Sequence, residues 1–403
     1  MGVPVIEVGL QIGTQPPLAA VRLSVGAARA MRLNSVMLVD HFQGIFPACI
    51  WNPELTWLAA HRSSPNEFFD YQTLSGHLAS RVGRLRLGVG VTEAIRRHPV
   101  LIAQSALTLS HLSRRAPILG VGAGELMNVA PYGLPWNHPV GRLEEALQII
   151  RLCFSSREPI TFVGRHFHLD RAVMDLQPAQ GRTPQLWIAG HGDRMLELTG
   201  RYGDGWYPTL VVSADEYATK LAAVRRAAAA AGREPASITP ALHRFVVAAR
   251  TEQEARHILT AKALRALALM APAAVWQQAG AEHPLGADFA PLVDFVPGNY
   301  TRMQLEEAIA AVPTEVLLDG PLLWGTPRQI VSRLRAFGDA GLRHVVLAPV
   351  SGLVSRRAMF YGLHAVGQIA RLLRRPSGQI SGAGVARPHP ARSVMASNSG
   401  CTR

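Results

Sequence analysis

Residues 5–18 read VIEVGLQIGTQPPL, and the last six of them decide between two folds. Val5 to Gly13 alternates apolar and polar positions well enough for a first strand. A doubly wound sheet would follow that strand with a glycine-rich turn opening directly into a helix. GTQPPL has two prolines instead and is no phosphate fingerprint. Beyond it, Leu18, Val21, Val25 and Ala28 recur at helical spacing. The chain therefore starts as strand, proline turn and helix, which favours the closed barrel built from the same units.

Seven further short apolar runs follow, each bounded by polar or glycine residues. They are SVML within 35–42, LRLGVGV at 85–91, PILGVGAG at 117–124, QLWIA at 185–189, DGWYPT at 204–209, a run within 238–249, and RHVVLAP at 343–349. Helical periodicity separates most of them, including one expected helix from about 252 to 269. Thr326-Pro327 reads as a cap and first helical residue, and Gly341 as a stop. Eight strands alternating with helices across residues 1–375 give a (β/α)8 TIM barrel of the α/β class, with insertions near 43–66 and 271–312. Residues 160–169 read as a small excursion of strand pairing. From 376 to 403 the sequence loses periodicity and reads as a disordered basic tail.

Composition excludes several classes. Hydrophobic residues make up 48% and charged residues 17%, a globular balance. The net charge of +13 falls largely on the C-terminal end, where eight arginines and no acid follow Ser355. That end does not interleave aromatics with its arginines, so no nucleic-acid partner is expected. A basic balance still favours an anionic cofactor. No uninterrupted apolar run reaches the length of a membrane span, and no secretory leader is apparent, so the cytoplasm is the expected compartment. Cys49, Cys153 and Cys401 are odd in number and widely spaced, which points to free thiols. His166 and His168 would share one strand face, but without a third ligand no metal site is expected.

In a barrel, ligands bind beyond the carboxyl ends of the strands. Four such ends carry the candidates: Asp40-His41, Gly90-Val91, Gly122-Ala123-Gly124-Glu125 and Ala189-Gly190-His191-Gly192. Glycines there admit a flat ring or a phosphate, and the N–H groups of Gly190 to Gly192 precede a helix, where anions bind. Glycines after strands are also ordinary turns. His41 and Glu125 can move protons near neutral pH. Alternatively, His41 is a hydrogen-bonded structural residue and Glu125 only charges a helix start.

The stretches SVMLVDHF (35–42), LRLGVGVTEAIRRHPVLIAQSALTL (85–109), ILGVGAGELMN (118–128), LWIAGHGDRMLELTGRYGDGW (186–206) and GTPRQIVSRLRAFGDAGLRHVVL (325–347) resemble the luciferase-like flavin and deazaflavin oxidoreductases. The DH pair and GVGAGE-x-x-N look like the branch that uses coenzyme F420. Within it, RMLELTGRYGDGWYP, SITPA and EHPLGADFA are similar to the mycobacterial phthiodiolone dimycocerosate ketoreductases. The resemblance implies a deazaflavin at the C-terminal face of the barrel, and a homodimer. It implies that His41 and Glu125 are catalytic and that Asp40 contacts the ring. Asn128 and Ala123 would lie beside the cofactor, and Gly90-Val91 would form a non-prolyl cis peptide under it. Ala189, Gly190, His191 and Gly192 match the phosphate-binding turn.

One departure bears on substrate. F420-dependent glucose-6-phosphate dehydrogenases carry a tryptophan where this chain has Ile45, and their sugar-phosphate lysines are missing, so glucose 6-phosphate is not expected. The expected reaction is hydride transfer from reduced F420 to a ketone, a long-chain lipid ketone above all. An FMN-dependent monooxygenase is the alternative within the fold, and a non-catalytic cofactor-binding barrel the alternative outside it. Ile45, Phe46, Ile50, Trp51, Leu55 and Trp57, with residues 271–312, either form an apolar mouth or pack the insertions onto the barrel.

Overall fold

The computed structural model describes residues 5–320 and 322–375; the expectation for residues 376–403 lies outside them. Among the described residues, eleven strands form in chain order: β1 (Glu7–Gln11), β2 (Ser35–Leu38), β3 (Arg86–Thr92), β4 (Ile118–Val121), β5 (Ile160–Val163), β6 (His168–Ala172), β7 (Gln185–Ile188), β8 (Gly205–Trp206), β9 (Thr239–Ala248), β10 (Leu323–Gly325) and β11 (His344–Pro349). Eight of them close a parallel ring in the order β9, β11, β1, β2, β3, β4, β7, β8 and back to β9. These are the eight runs expected from the sequence. The strands are largely buried on both faces, between the bore and the surrounding helices, so most of their residues are apolar; Ser35, His243, Arg244 and His344 are buried polar exceptions.

Three differences from the sequence reading have local causes. β10 is an extra strand of only three residues, pairing with the far end of β9 at Val246–Ala248 on the edge opposite β11, where β9 has outrun the two-residue β8. The helix expected over 252–269 is two, Glu252–Leu259 and Lys262–Ala268, because Ala261 takes up extended backbone and caps the second. β5 and β6 do pair as an antiparallel hairpin, but His166 lies in its turn and not on a strand face with His168. The Glu145 carboxylate holds that turn by accepting from the N–H groups of Arg165, His166 and Phe167.

Thr326 caps the helix that begins at Pro327, as expected, and Gln329 completes a capping box with it. The bore of the barrel is filled by Met37, Ile118, Trp187, Tyr207, Ala241 and Val346, so it is a packed core and no channel. Packing is tight enough that a Cβ at Gly120 would lie 2.2 Å from the Val89 carbonyl oxygen on the neighbouring strand. Backbone cannot yield as a flexible side chain can. Gly120→Ala is therefore expected to cost about 1–3 kcal/mol, read as a lowered denaturation midpoint.

The insertions pack on each other. Phe46, Ile50 and Leu55 are buried against Trp276, Leu305 and Val316, forming a second hydrophobic cluster. Trp51 and Trp57 donate their indole N–H groups to the carbonyls of Arg62 and Gly352. Of the two roles these apolar residues were assigned, packing is the one their burial supports. No helix among the described residues is long and apolar enough to cross a membrane.

Candidate active site

β2, β3, β4 and β7 are consecutive in the ring, so the four candidate stretches emerge side by side. His41 leaves β2 and Glu125 leaves the end of β4. The two meet across the end of β3, with His41 Nε2 3.5 Å from Glu125 Oε2. At that separation the pair is an electrostatic contact and not a full hydrogen bond. Their side chains keep 20% and 29% exposure, so both are open to a ligand. Between them, on β3, the half-buried Gly90–Val91 peptide is cis. A Cβ at Gly122 would come within 3.2 Å of Val91 Cγ2 and 3.8 Å of Ala189 Cβ, which shows how closely these ends converge. Gly90, Val91, Ala123 and Ala189 make a half-buried surface of small side chains.

The backbone after Asp40 is clamped on both sides. Asn128, itself buried, accepts from the N–H groups of Phe42 at 2.8 Å and Gln43 at 3.1 Å through Oδ1. Its Nδ2 donates to Glu125 Oε2 at 3.0 Å. One amide thus ties the His41 loop to the Glu125 turn. On the other side, Arg96 Nη2 donates to the Asp40 carbonyl at 3.0 Å. Gly124 has φ of +100°, a conformation that glycine adopts without a Cβ penalty, and this kinks the chain into Glu125.

Asp40 is turned into the protein. Its Oδ2 accepts from Thr92 Oγ1 at 2.7 Å, Arg96 Nη2 at 3.0 Å and Arg97 Nη1 at 2.8 Å. Arg96 is shared with buried Glu93, and Arg97 with Asp70, which caps the helix Tyr71–Ala79. Sequence reasoning did not single out Thr92, Glu93, Arg96 or Arg97. The available signal was TEAIRR, an acid and two arginines directly after a buried strand. Arg96 keeps one buried N–H group, at Nη1, without a partner among the described residues, and its guanidinium lies 4.8 Å from the Phe42 ring. Phe42 in turn packs on Tyr132 at 4.6 Å, and both are exposed, at 42% and 45%.

The Ala189–Gly192 turn leads into the helix Asp193–Tyr202, whose first turn receives no side-chain cap from Gly192. Trp206 Nε1 pins the turn through the Gly190 carbonyl at 2.9 Å. Gly190 packs on Met195, whereas a Cβ at Gly192 would meet nothing within 4 Å. Burial, helped by the Lys220 charge, pushes the His191 imidazole down to about 4, so it is neutral at pH 7. Small half-buried residues, an uncapped helix start and open space at Gly192 fit a flat ring carrying a phosphate. Beside the cis peptide, the buried Tyr207 hydroxyl has no hydrogen-bond partner among the described residues, and burial raises its pKa.

Residues 54–344 match the model of the family described as luciferase-like monooxygenase. The chain is 38% identical over 363 residues to the phthiodiolone/phenolphthiodiolone dimycocerosates ketoreductase of Mycobacterium tuberculosis H37Rv, covering 89% of this chain and 94% of that one. It is 28% identical to the F420-dependent glucose-6-phosphate dehydrogenase of Nakamurella multipartita, over 79% of this chain and 83% of that one. Among solved structures it overlays an F420-dependent secondary alcohol dehydrogenase in complex with an F420-acetone adduct. The TM-score is 0.72, at 19% identity, covering 92% of this chain and all of that one. The EDTA monooxygenase of Chelativorans sp. BNC1 overlays with a TM-score of 0.66 at 19% identity, over 91% of this chain and 94% of that one.

Proposed function

As the chain belongs to the luciferase-like monooxygenase family, we propose that it is an F420-dependent ketoreductase acting on an apolar, long-chain ketone. The observation that carries the reading is the His41–Glu125 pair at 3.5 Å, astride the Gly90–Val91 peptide. It joins two groups able to hold or move protons on either side of a surface suited to a flat ring. Reduced F420, when bound, supplies the hydride for the carbonyl carbon.

The remaining work falls to the chain. Gly90, Val91, Ala123 and Ala189 would support the ring, and Gly190 to Gly192 with His191 would hold the phosphate. His41 would deliver the proton that the ketone oxygen needs as hydride arrives. Glu125, oriented by Asn128, would manage the second proton, that of the cofactor ring. Asp40 would act through Arg96 and Arg97, fixing the backbone from which His41 projects. The Phe42–Tyr132 pair supports an apolar substrate, since two exposed aromatic rings packed at a tilt beside the proton-transfer pair offer an apolar surface to an alkyl chain.

Titration of the purified chain with F420 and with FMN, followed by a ketone screen against the cofactor that binds, tests the reading. Binding of F420 with reduction of ketones is the expected result. FMN binding with oxygen consumption would replace the reading with the monooxygenase one, and F420 binding with every ketone inert would leave a binding barrel.

Two predictions are specific to the proposed contacts. Paired Phe42→Ser and Tyr132→Ser substitutions are expected to raise KM for long-chain ketones by about tenfold, with kcat for a short ketone unchanged. An equal effect on both substrates would remove the platform role. Second, an anion settling beside neutral His191 raises its pKa above about 4, so binding takes up a proton. Cofactor affinity should then strengthen as pH falls from neutrality toward that value, and His191→Asn should flatten the dependence.

A further inference from the structure

A second concave site shares no residue with the one described. It is a cleft of about 480 Å³ between the start of the helix Pro327–Asp339 and the last turns of the helix Arg356–Leu373. Four of its eight lining residues are arginines, Arg250, Arg328, Arg371 and Arg375, and none is acidic. Gln368 and Thr326 supply further polar groups.

The nearby acids are committed elsewhere or only weakly shared. Glu252 is taken by Arg256 at 2.9 Å and by Gln329 at 2.6 Å. Glu254 reaches Arg250 at 3.9 Å, the outer limit of an ion pair. Among the described residues, the guanidiniums of Arg328 and Arg371 are in no ion pair. Gathering like charges in one concavity raises the local potential, and nothing in the lining offsets it. A guanidinium presents planar, paired N–H groups that match phosphate oxygens two at a time.

We infer that this cleft is a binding site for a phosphate-bearing anion, separate from the cofactor site. The arginines carry the inference. The capping box of the helix Pro327–Asp339 already satisfies an end-turn donor there, so the helix end adds only its partial charge. Two sources share the chemistry, a soluble phosphate compound and the headgroup of an anionic lipid. Pro327 and Leu372 give the cleft an apolar wall on which the glycerol and ester part of a headgroup would rest.

The test uses the full chain and two probes, inorganic pyrophosphate by calorimetry and co-sedimentation with phosphatidylcholine vesicles, with and without phosphatidylglycerol. Arg328→Glu with Arg371→Glu is compared with wild type, and Arg328→Gln with Arg371→Gln serves if the reversal impairs folding. The Gly190–Gly192 turn stays intact in every variant, so whatever it binds is common to all. The wild type is expected to bind at least one probe, and the double variant to bind it at least about tenfold more weakly, two charge-assisted contacts being lost. A loss confined to pyrophosphate assigns a soluble ligand, and a loss confined to phosphatidylglycerol vesicles assigns a lipid headgroup. If the wild type binds neither probe, or the double variant binds both as the wild type does, the site does not exist.

Discussion

His41→Ala is expected to slow ketone reduction by about 10²–10⁴-fold while leaving F420 affinity unchanged, the range for removing a positioned acid. The separation of the two effects follows from the geometry. His41 is a fifth exposed and makes its polar approach to Glu125, not to the residues proposed to hold ring or phosphate. The loop backbone is clamped by Asn128 and Arg96, so deleting the imidazole leaves Phe42 and Gln43 where they are. Single-turnover kinetics, with cofactor binding measured in parallel, give the answer. Asn128→Ala should look different. It removes the acceptor for two backbone N–H groups as well as the donor to Glu125, so KM, kcat and stability should all worsen together. If His41→Ala keeps full turnover with unchanged cofactor binding, the proton at the ketone oxygen comes from another group.

What could be read in the sequence depended on distance along the chain. Strands such as SVML and ILGV announce themselves because a strand sandwiched between bore and helices is mostly apolar along its length. Asp40-His41 and Glu125 stood out because polar residues end such runs abruptly. β10 left no trace, since three residues carry no periodicity and its pairing exists only because β9 extends past the short β8. Asp40 shows the deeper limit. Its position at a strand end was legible, but its three donors come from Thr92, Arg96 and Arg97, more than 50 residues away, and no local pattern reports them. The aromatic residues of the first insertion were ambiguous for the same reason. Phe46 and Ile50 have as neighbours Trp276 and Leu305, contributed by the second insertion, and apolar composition alone cannot separate a packed surface from an open mouth.

The Asp40 cluster makes the largest stability prediction. Asp40→Ala is expected to destabilise the fold by up to about 3–5 kcal/mol, the range for removing one member of a buried ion pair. Side-chain exposure is 3% for Asp40 and Arg96 and 15% for Arg97, so water cannot substitute for the lost carboxylate. Arg96 would retain Glu93, and Arg97 would retain Asp70, which bounds the loss below that of two wholly orphaned cations. Asp70→Ala is the internal comparison. Asp70 is 42% exposed and also caps a helix through Thr73, so its removal should cost only about 1 kcal/mol. Equal midpoints for the two variants in urea would show that the buried charges are not coupled as the distances imply. The same substitution reaches the chemistry. With Asp40 gone, only Glu93 holds the Arg96 guanidinium near the carbonyl that precedes His41, and the relation of the imidazole to Glu125 rests on Asn128 alone. Asp40→Asn keeps shape and an acceptor but not the charge. It should therefore fall between alanine and wild type in both stability and turnover. If Asp40→Asn instead restores stability fully and turnover not at all, the carboxylate acts on the ligand directly and not through the arginines.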